Sequence, residues 1–182
     1  MLSGKKLQEA RLAAKMSIPD LAAAIVRPGL DADKARGAIG NWEREYQRPL
    51  PTRVDIEALG NALGVRRVDL VVWHACHKWA PIAPRKARLV TELISGRTVQ
   101  DALDVLKFAN KRAAVMVDKV LRSAIANADE QEASVEDLYV TEARVDEGGV
   151  RLGTKQWRAK DRGRAVAWIR LASHIHVTLD QE

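Results

Sequence analysis

The side chains of this chain best suited to bind a charged ligand are concentrated near its carboxy-terminal end. Residues 151–170 hold seven Lys and Arg residues against a single acid, Asp161, so this segment alone accounts for the chain's formal net charge of +6. Ammonium and guanidinium groups at this density neutralise phosphates through charge-assisted hydrogen bonds, which favours a polyanionic ligand. The seven basic residues are Arg151, Lys155, Arg158, Lys160, Arg162, Arg164 and Arg170.

Candidate metal ligands and nucleophiles are fewer. His74, Cys76 and His77 suggest zinc, but three ligands within four residues cannot readily meet one ion, and no second cluster supplies a fourth. His174 and His176 alternate with apolar residues, so we expect both to face outward, where a nucleic-acid contact or a polar surface role is favoured over catalysis. No nucleophile is paired with a base. The sequence therefore predicts no enzyme, no metal and no cofactor.

Two strand-like segments flank the basic run and must position it. Residues 138–146 are typical of a strand, and residues 165–179 place apolar side chains at odd positions. The simplest arrangement is an antiparallel hairpin over residues 138–179, whose basic arm, about residues 147–167, extends beyond the folded body. The odd-numbered apolar residues are Ala165, Ala167, Ile169, Leu171, Ile175, Val177 and Leu179.

The rest of the second half predicts three helices and a lead-in strand. Apolar periodicity indicates helices over residues 84–95, 98–108 and 110–128, and the small side chains of Ser123–Ala128 suit a close contact between helix and sheet. An extended segment after Trp73 supplies a third strand. The expected fold of residues 73–182 is α+β, with three helices on a three-stranded antiparallel sheet and a long protruding β-hairpin.

The first half is helical throughout. Ser17 is placed to cap the second helix, a third is expected from about Asp33 to Glu45, and a fourth ends at Gly64. Trp42 lies on the apolar stripe of the third helix and is expected in the core. We therefore predict two domains, an all-α bundle over residues 1–72 and the α+β domain over residues 73–182.

Composition sets the broad class. The chain has 182 residues, is 47% hydrophobic and carries 30 basic against 24 acidic residues, which suits a globular protein with a polyanionic partner. A single cysteine, Cys76, excludes an internal disulfide. No signal-peptide core or membrane-length apolar run is present, so we expect a cytoplasmic protein with no membrane partner.

Six motifs of the second half agree in order and spacing with one known family. Over about residues 74–181 the chain resembles the large-subunit ribosomal protein L-twenty-two family. This resemblance implies a body of helices on a three-stranded sheet, an extended hairpin inserted into large-subunit rRNA, and a hairpin tip that lines the peptide exit tunnel. The motifs are Ala83–Val90, Asn110–Ala114, Ser123–Ala128, Val145–Gly148, Gly163–Ala165 and Ser173–Ile175.

The resemblance and the charge pattern together imply a structural protein of the cytoplasmic ribosome. Its expected partners are large-subunit rRNA, neighbouring large-subunit proteins and the nascent peptide. The tunnel tip is expected within Gly153, Thr154, Lys155, Gln156, Trp157 and Arg158. The residues expected to bind rRNA are Arg85, Lys86, Arg88, Lys111, Arg151, Lys155, Arg158, Lys160, Arg162, Arg164, Arg170 and His174.

The first half, over about residues 4–71, resembles the Cro and lambda-repressor type of helix-turn-helix. The residues that carry this likeness include Leu7, Ser17, the run Ile39–Arg44 and the run Leu59–Val65. Two departures affect function: Ile18 replaces the usual glutamine that reaches the DNA backbone, and the turn through residues 28–33 is about seven residues longer than usual.

Two roles therefore stay open for the first domain. It is either an addition to a ribosomal protein, contacting rRNA, neighbouring proteins or a ribosome-surface factor, or the DNA-binding part of a transcriptional regulator whose ribosomal half senses RNA. If it binds DNA, the residues expected to face the duplex are Arg36, Asn41 and Arg44.

Overall fold

The computed structural model describes residues 1–181, so Glu182, the last residue of the second expected domain, lies outside the described residues. The described chain divides into two compact units, Met1–Val72 and a second that begins at Trp73. The first contains helices only, and the second combines helices with β-strands.

The first unit consists of four α-helices and a short 3-10 turn. Ser17 caps the second helix, where its hydroxyl accepts a hydrogen bond from the Asp20 amide. Thr52 and Asp55 form a reciprocal capping box at the start of the fourth helix, and Gly64 ends that helix in the left-handed conformation. The helices are α1 (Gly4–Ala13), α2 (Ile18–Ala24), α3 (Ala32–Glu43) and α4 (Arg53–Leu63), followed by the 3-10 turn Arg67–Leu70.

The core of the first unit is built around Trp42. Its side chain is buried, as predicted, and its indole N–H donates a 2.6 Å hydrogen bond to the Pro49 carbonyl. Arg11 of α1 reaches across to Glu43 of α3, with its Nε 2.6 Å from the Glu43 Oε1. This ion pair, whose two side chains are largely covered, ties the first helix to the third.

The second unit contains the three-stranded antiparallel sheet that the sequence predicted, and its strand order is β1 (Trp73–Ala80), β5 (Leu171–Gln181) and β2 (Leu138–Val150). The central strand β5 pairs with both neighbours; for example, Ile175 lies opposite His77 of β1 and Val145 of β2.

Three helices accompany this sheet: α5 (Pro84–Ile94), α6 (Val99–Phe108) and α7 (Arg112–Asp129). Helix α7 packs on β1 and β5, and its fully buried Ala124 and Ala128 confirm the prediction that small side chains lie at a helix-to-sheet contact. The amide of Asn127 donates a 3.2 Å hydrogen bond to the His74 carbonyl, which fixes this end of the helix against β1.

The segment predicted as one strand over residues 165–179 forms two strands, with a break at residues 169 and 170. A second ladder interrupts it, formed by β3 (Gln156–Ala159) and β4 (Ala165–Trp168), and this ladder is separate from the main sheet. Ile175, Val177 and Leu179 are buried as the alternation predicted, but Ile169 and Leu171 are exposed. Apolar alternation indicates a strand, yet it buries one face only where a layer of helices lies opposite.

Candidate nucleic-acid interface

A projecting ribbon, here called the arm and defined as residues 149–171, carries the basic run. Every residue of the arm is exposed except Thr154, which is half-buried. The arm leaves the sheet at Gly148 and Gly149, where the pairing of β2 with β5 shifts between Glu147 and Val150. A bulge of this kind bends its strand and increases the local twist. The sequence therefore builds a β-ribbon that extends past the helices.

Glycine is required at this bulge. Gly149 has a φ of 72°, which side chains rarely tolerate, and a Cβ on Gly148 would come within 3.1 Å of the Ala172 carbonyl carbon. Beyond the bulge the ribbon continues with a 2.9 Å hydrogen bond from the Arg151 amide to the Arg170 carbonyl. The two glycines thus set where the arm leaves the body.

The distal turn of the arm lies at Asp161–Gly163. Arg162 and Gly163 both have positive φ, 59° and 70°, and the Arg164 amide donates to the Asp161 carbonyl at 3.3 Å. Two successive positive φ values are typical of a type I′ turn, whose twist matches that of an antiparallel ribbon. The turn therefore places Lys160, Arg162 and Arg164 at the end of the arm.

This turn corrects the expected position of the hairpin tip. Gly153, Thr154 and Lys155 lie in a bend between β2 and β3, where the Thr154 hydroxyl donates to the Arg151 carbonyl at 2.6 Å. Gln156, Trp157 and Arg158 lie on the ascending strand β3. Gly153 is a real turn residue, but it only bends the ribbon, and the chain reverses eight residues later, from Asp161.

The two faces of the outer ladder differ. Gln156 pairs with Trp168 and Arg158 with Val166, so these four side chains share one face. Trp157 pairs with Ala167, and Ala159 pairs with Ala165, on the opposite face. One face of the ladder thus carries Arg158 beside the Trp168 indole. The other face carries the Trp157 indole among alanine methyl groups, with Lys155 of the preceding bend over its ring.

The basic side chains of the arm have no acidic partner in the part of the chain that the structure describes. In residues 1–181, no salt bridge joins a carboxylate to any of the seven basic residues of the run. Three of them lie over tryptophan rings instead: Lys155 is 5.3 Å from the centroid of Trp157, and Arg158 and Arg170 are 5.2 and 5.1 Å from that of Trp168. Cation–π contacts order a cation without neutralising it, so the charge remains available to a ligand.

A groove of about 480 Å³ lies at the base of the arm. Four cationic side chains from separate parts of the second unit converge on it, and no acidic residue lines it. Its apolar lining includes Ile82, Trp168 and Ile169. This arm-base groove joins Arg151 and Arg170 of the arm to Lys86 of α5 and Arg112 of α7.

The other residues expected to bind rRNA differ in their exposure and in the hydrogen bonds that their side chains already make within the fold. Arg85 and Lys111 are exposed. Arg88 donates from Nε and Nη2 to the Val145 carbonyl at 3.4 and 3.3 Å, so its guanidinium is partly used within the fold. His174 accepts a 3.0 Å hydrogen bond from the Trp79 amide at its Nδ1 and packs edge-to-face with the Trp79 ring, which leaves Nε2 as its other polar atom.

Arg112 is not among the twelve residues expected to bind rRNA, although it lines the groove. It follows Lys111 in the motif Asn110–Ala114 and begins α7, yet Arg112 and not Lys111 lines the groove. The missed signal is helical position, because a residue in the first turn of a helix can turn toward the neighbouring loop. The convergence of α5, α7 and the arm is tertiary and has no local signature.

The histidines of the outer sheet face form a pair instead of a metal centre. Nε2 of His74 lies 3.2 Å from Nδ1 of His176, and the Asp146 Oδ2 lies 3.5 Å from Nε2 of His176. In the described residues 1–181, no three His, Cys, Asp or Glu side chains are grouped to hold a metal ion. Burial lowers the pKa of His74, and the neighbouring His176 lowers it further. Burial also lowers the pKa of His176, against the opposing effect of Asp146.

The three candidate DNA-facing residues of the first unit are not equivalent. Asn41 is half-buried and its amide donates to the Arg48 carbonyl at 2.9 Å. Arg36 is exposed and lies 3.8 Å from Asp33, and Arg44 is exposed at the end of α3. The Asn41 amide is therefore hydrogen-bonded to the loop that follows α3.

One comparison with known proteins identifies the second unit. The family model described as ribosomal protein L22p/L17e matches residues 75–180, which include most of β1, the three helices, the whole arm and nearly all of β5. No helix in residues 1–181 is long and apolar enough to cross a membrane. The match covers more than half of the chain and agrees with an α+β unit bearing a basic ribbon, so the chain belongs to the ribosomal protein L22p/L17e family.

Proposed function

We propose that this large-subunit ribosomal protein is a structural, non-catalytic component that binds rRNA through its arm and through exposed basic residues of α5 and α7. The observation that carries the proposal is the set of seven basic arm residues without acidic partners on an exposed ribbon. Such a ribbon replaces the counterions that otherwise separate closely packed phosphates. Its contacts are mainly to the RNA backbone, which suits recognition of shape.

The positions of residues along the arm determine which of them would insert most deeply into the RNA. We assign the distal turn Asp161–Gly163 and the flanking Lys160 and Arg164 to the deepest point of insertion. The tunnel-lining role then belongs to this turn, with Trp157 on the strand beneath it, and the nascent peptide would pass these residues. Gly153, Thr154 and Lys155 would lie at the bend, further from the end of the arm.

The proposed site of action is the cytoplasmic ribosome, with neighbouring large-subunit proteins as further partners. For the first unit we propose a contact with rRNA, a neighbouring protein or a ribosome-surface factor. The regulator hypothesis, in which this unit binds DNA, receives no specific support, because the Asn41 amide is engaged by the Arg48 carbonyl. It is kept as an outcome of the tests below.

Salt dependence tests the proposed binding. Neutralising about six phosphates should give log affinity a slope of about −4 to −5 against log salt concentration, at about 0.7 to 0.9 per contact. The measurement is filter binding of the full chain to transcribed large-subunit rRNA between about 50 and 200 mM salt. The control is Lys107→Gln, which removes an exposed lysine of α6 that pairs with Asp104 and should leave the slope unchanged. A slope near −1, or a slope that flattens in the control, would contradict binding through the arm.

A further inference from the structure

The arm-base groove has the composition of a nucleotide site. Its volume of about 480 Å³ lies within the range of roughly 300–1,000 Å³ that is usual for small-ligand sites. Lys86, Arg112, Arg151 and Arg170 line it without a carboxylate, while Pro81, Ile82, Ile169 and Leu171 add apolar surface. A ligand that matches both properties is a flat ring with an apolar face joined to phosphate.

Trp168 supplies the surface on which such a ring would stack. Its side chain lines the groove and is 39% exposed, so part of the indole is open to solvent. The guanidinium groups of Arg158 and Arg170 lie 5.2 and 5.1 Å from the ring centroid and restrain the indole. An aromatic ring held among cations is the arrangement by which proteins stack single-stranded bases and bind their phosphates.

The groove suits an unpaired nucleotide better than a duplex. Bases in an A-form helix are stacked on each other, and the helix offers a protein its phosphates and 2′-hydroxyls but few free ring faces. An unpaired base can leave its stack and bury a ring face against an indole.

We propose that the arm-base groove binds one unpaired RNA nucleotide, whose base stacks on Trp168 and whose phosphates are held by Lys86, Arg112, Arg151 and Arg170. This proposal rests on the proposed function, since it requires that the arm bind RNA. It adds a preference for single-stranded RNA to a ribbon that otherwise contacts the RNA backbone. The arm would then be anchored at its base by one base contact and along its length by phosphates.

The test compares two RNA probes on the full chain by fluorescence anisotropy at about 0.1 M salt. One probe is single-stranded oligoadenylate of about 24 nucleotides, and the other is a blunt duplex of about 12 base pairs, which carries nearly the same number of phosphates and is long enough to stay paired. Trp168→Ala should weaken binding of the single strand about tenfold and change duplex binding less than twofold. Trp168→Phe should restore most of the loss. The matched control is Phe108→Ala, an exposed aromatic side chain at the end of α6 that does not line the groove, which should change both affinities less than twofold.

A phosphate variant adds a second readout. Lys86→Gln with Arg112→Gln should flatten the salt slope for the single strand by about 1.4, from two contacts at about 0.7 each. Equal losses for Trp168→Ala and Phe108→Ala, equal losses on both probes, or no loss with Trp168→Ala would overturn the groove proposal while leaving RNA binding intact. A wild-type chain that binds neither probe would instead contradict the proposed function itself, and with it the groove proposal.

Discussion

At the scale of single residues, the uncompensated positive charge of the arm is the feature that most strongly favours an anionic ligand. Elsewhere in the chain, basic side chains such as Arg53 and Arg122 pair with carboxylates one helical turn away. Arg158 and Arg170 instead lie over the Trp168 ring, which cannot neutralise them. Repulsion among such cations on a narrow ribbon is relieved when phosphate binds. The same residues that destabilise the free arm would therefore stabilise it within RNA.

The His74–His176 pair predicts a measurable pH dependence. Burial lowers both pKa values in the folded state, so the unfolded chain binds protons more readily than the folded chain near pH 6.5. The stability that this pair contributes is present above the unfolded pKa and is lost as pH falls through and below about 6.5. Glu142 and Asp146 oppose the shift of His176, and Arg144 and His174 reinforce it.

An NMR titration of the histidine ring protons in the full chain measures this effect. Both folded pKa values should lie below about 6.5. Asp146→Asn should lower the pKa of His176 further, because it removes a carboxylate 3.5 Å from Nε2. Asp104→Asn on the exposed face of α6 is the control and should leave His176 unchanged. A His176 pKa above 6.5, or a rise on Asp146→Asn, would show that the pair is not desolvated as described.

At the scale of elements, glycines in different backbone conformations should respond oppositely to alanine. Gly40 lies inside α3 with open space around the position of a Cβ, so Gly40→Ala should stabilise the first unit by about 1 kcal/mol. Gly149 has a φ of 72° at the start of the arm, so Gly149→Ala should destabilise the bulge by about 1–2 kcal/mol.

Urea unfolding and amide hydrogen exchange of the full chain check this pair of variants. Gly40→Ala should raise the unfolding midpoint of the first unit. Gly149→Ala should speed exchange of the Arg151 amide, whose bond to the Arg170 carbonyl lies just beyond the bulge. Faster exchange in both variants, or in neither, would contradict the conformations assigned to these two glycines.

The elements also show where prediction from sequence ends. Periodicity and capping residues such as Ser17 and Gly64 located the helices to within a few residues, because both signals are local. The position of the tip was wrong because Gly153 and Gly163 are equally good turn residues in the sequence. Strand pairing decides between them: Val145 lies opposite Ile175, so an even ribbon reverses near residue 160. The arm-base groove could not be predicted, since its cations come from α5, α7 and the arm.

At the scale of the whole molecule, we propose that the second unit presents a basic ribbon to rRNA. The body of helices on a three-stranded sheet supplies a rigid origin, the Gly148–Gly149 bulge sets the exit of the ribbon, and the type I′ turn closes it. The first unit, Met1–Val72, has its own core around Trp42 and Leu59. Its role is therefore testable separately from that of the arm.

The most direct test is sedimentation of ribosomes from the host cell after a wash in about 0.5 M salt, with the wild-type chain and a variant of the distal arm. The wild-type chain should be recovered with large subunits at one copy each, because an arm with many phosphate contacts survives screening that removes weaker binders. Arg158→Gln, Lys160→Gln, Arg162→Gln and Arg164→Gln together should reduce that recovery severalfold while the chain stays folded. Wild-type recovery far below one copy, with a discrete genomic footprint, would favour the regulator, and undiminished recovery of the variant would contradict the role of the arm.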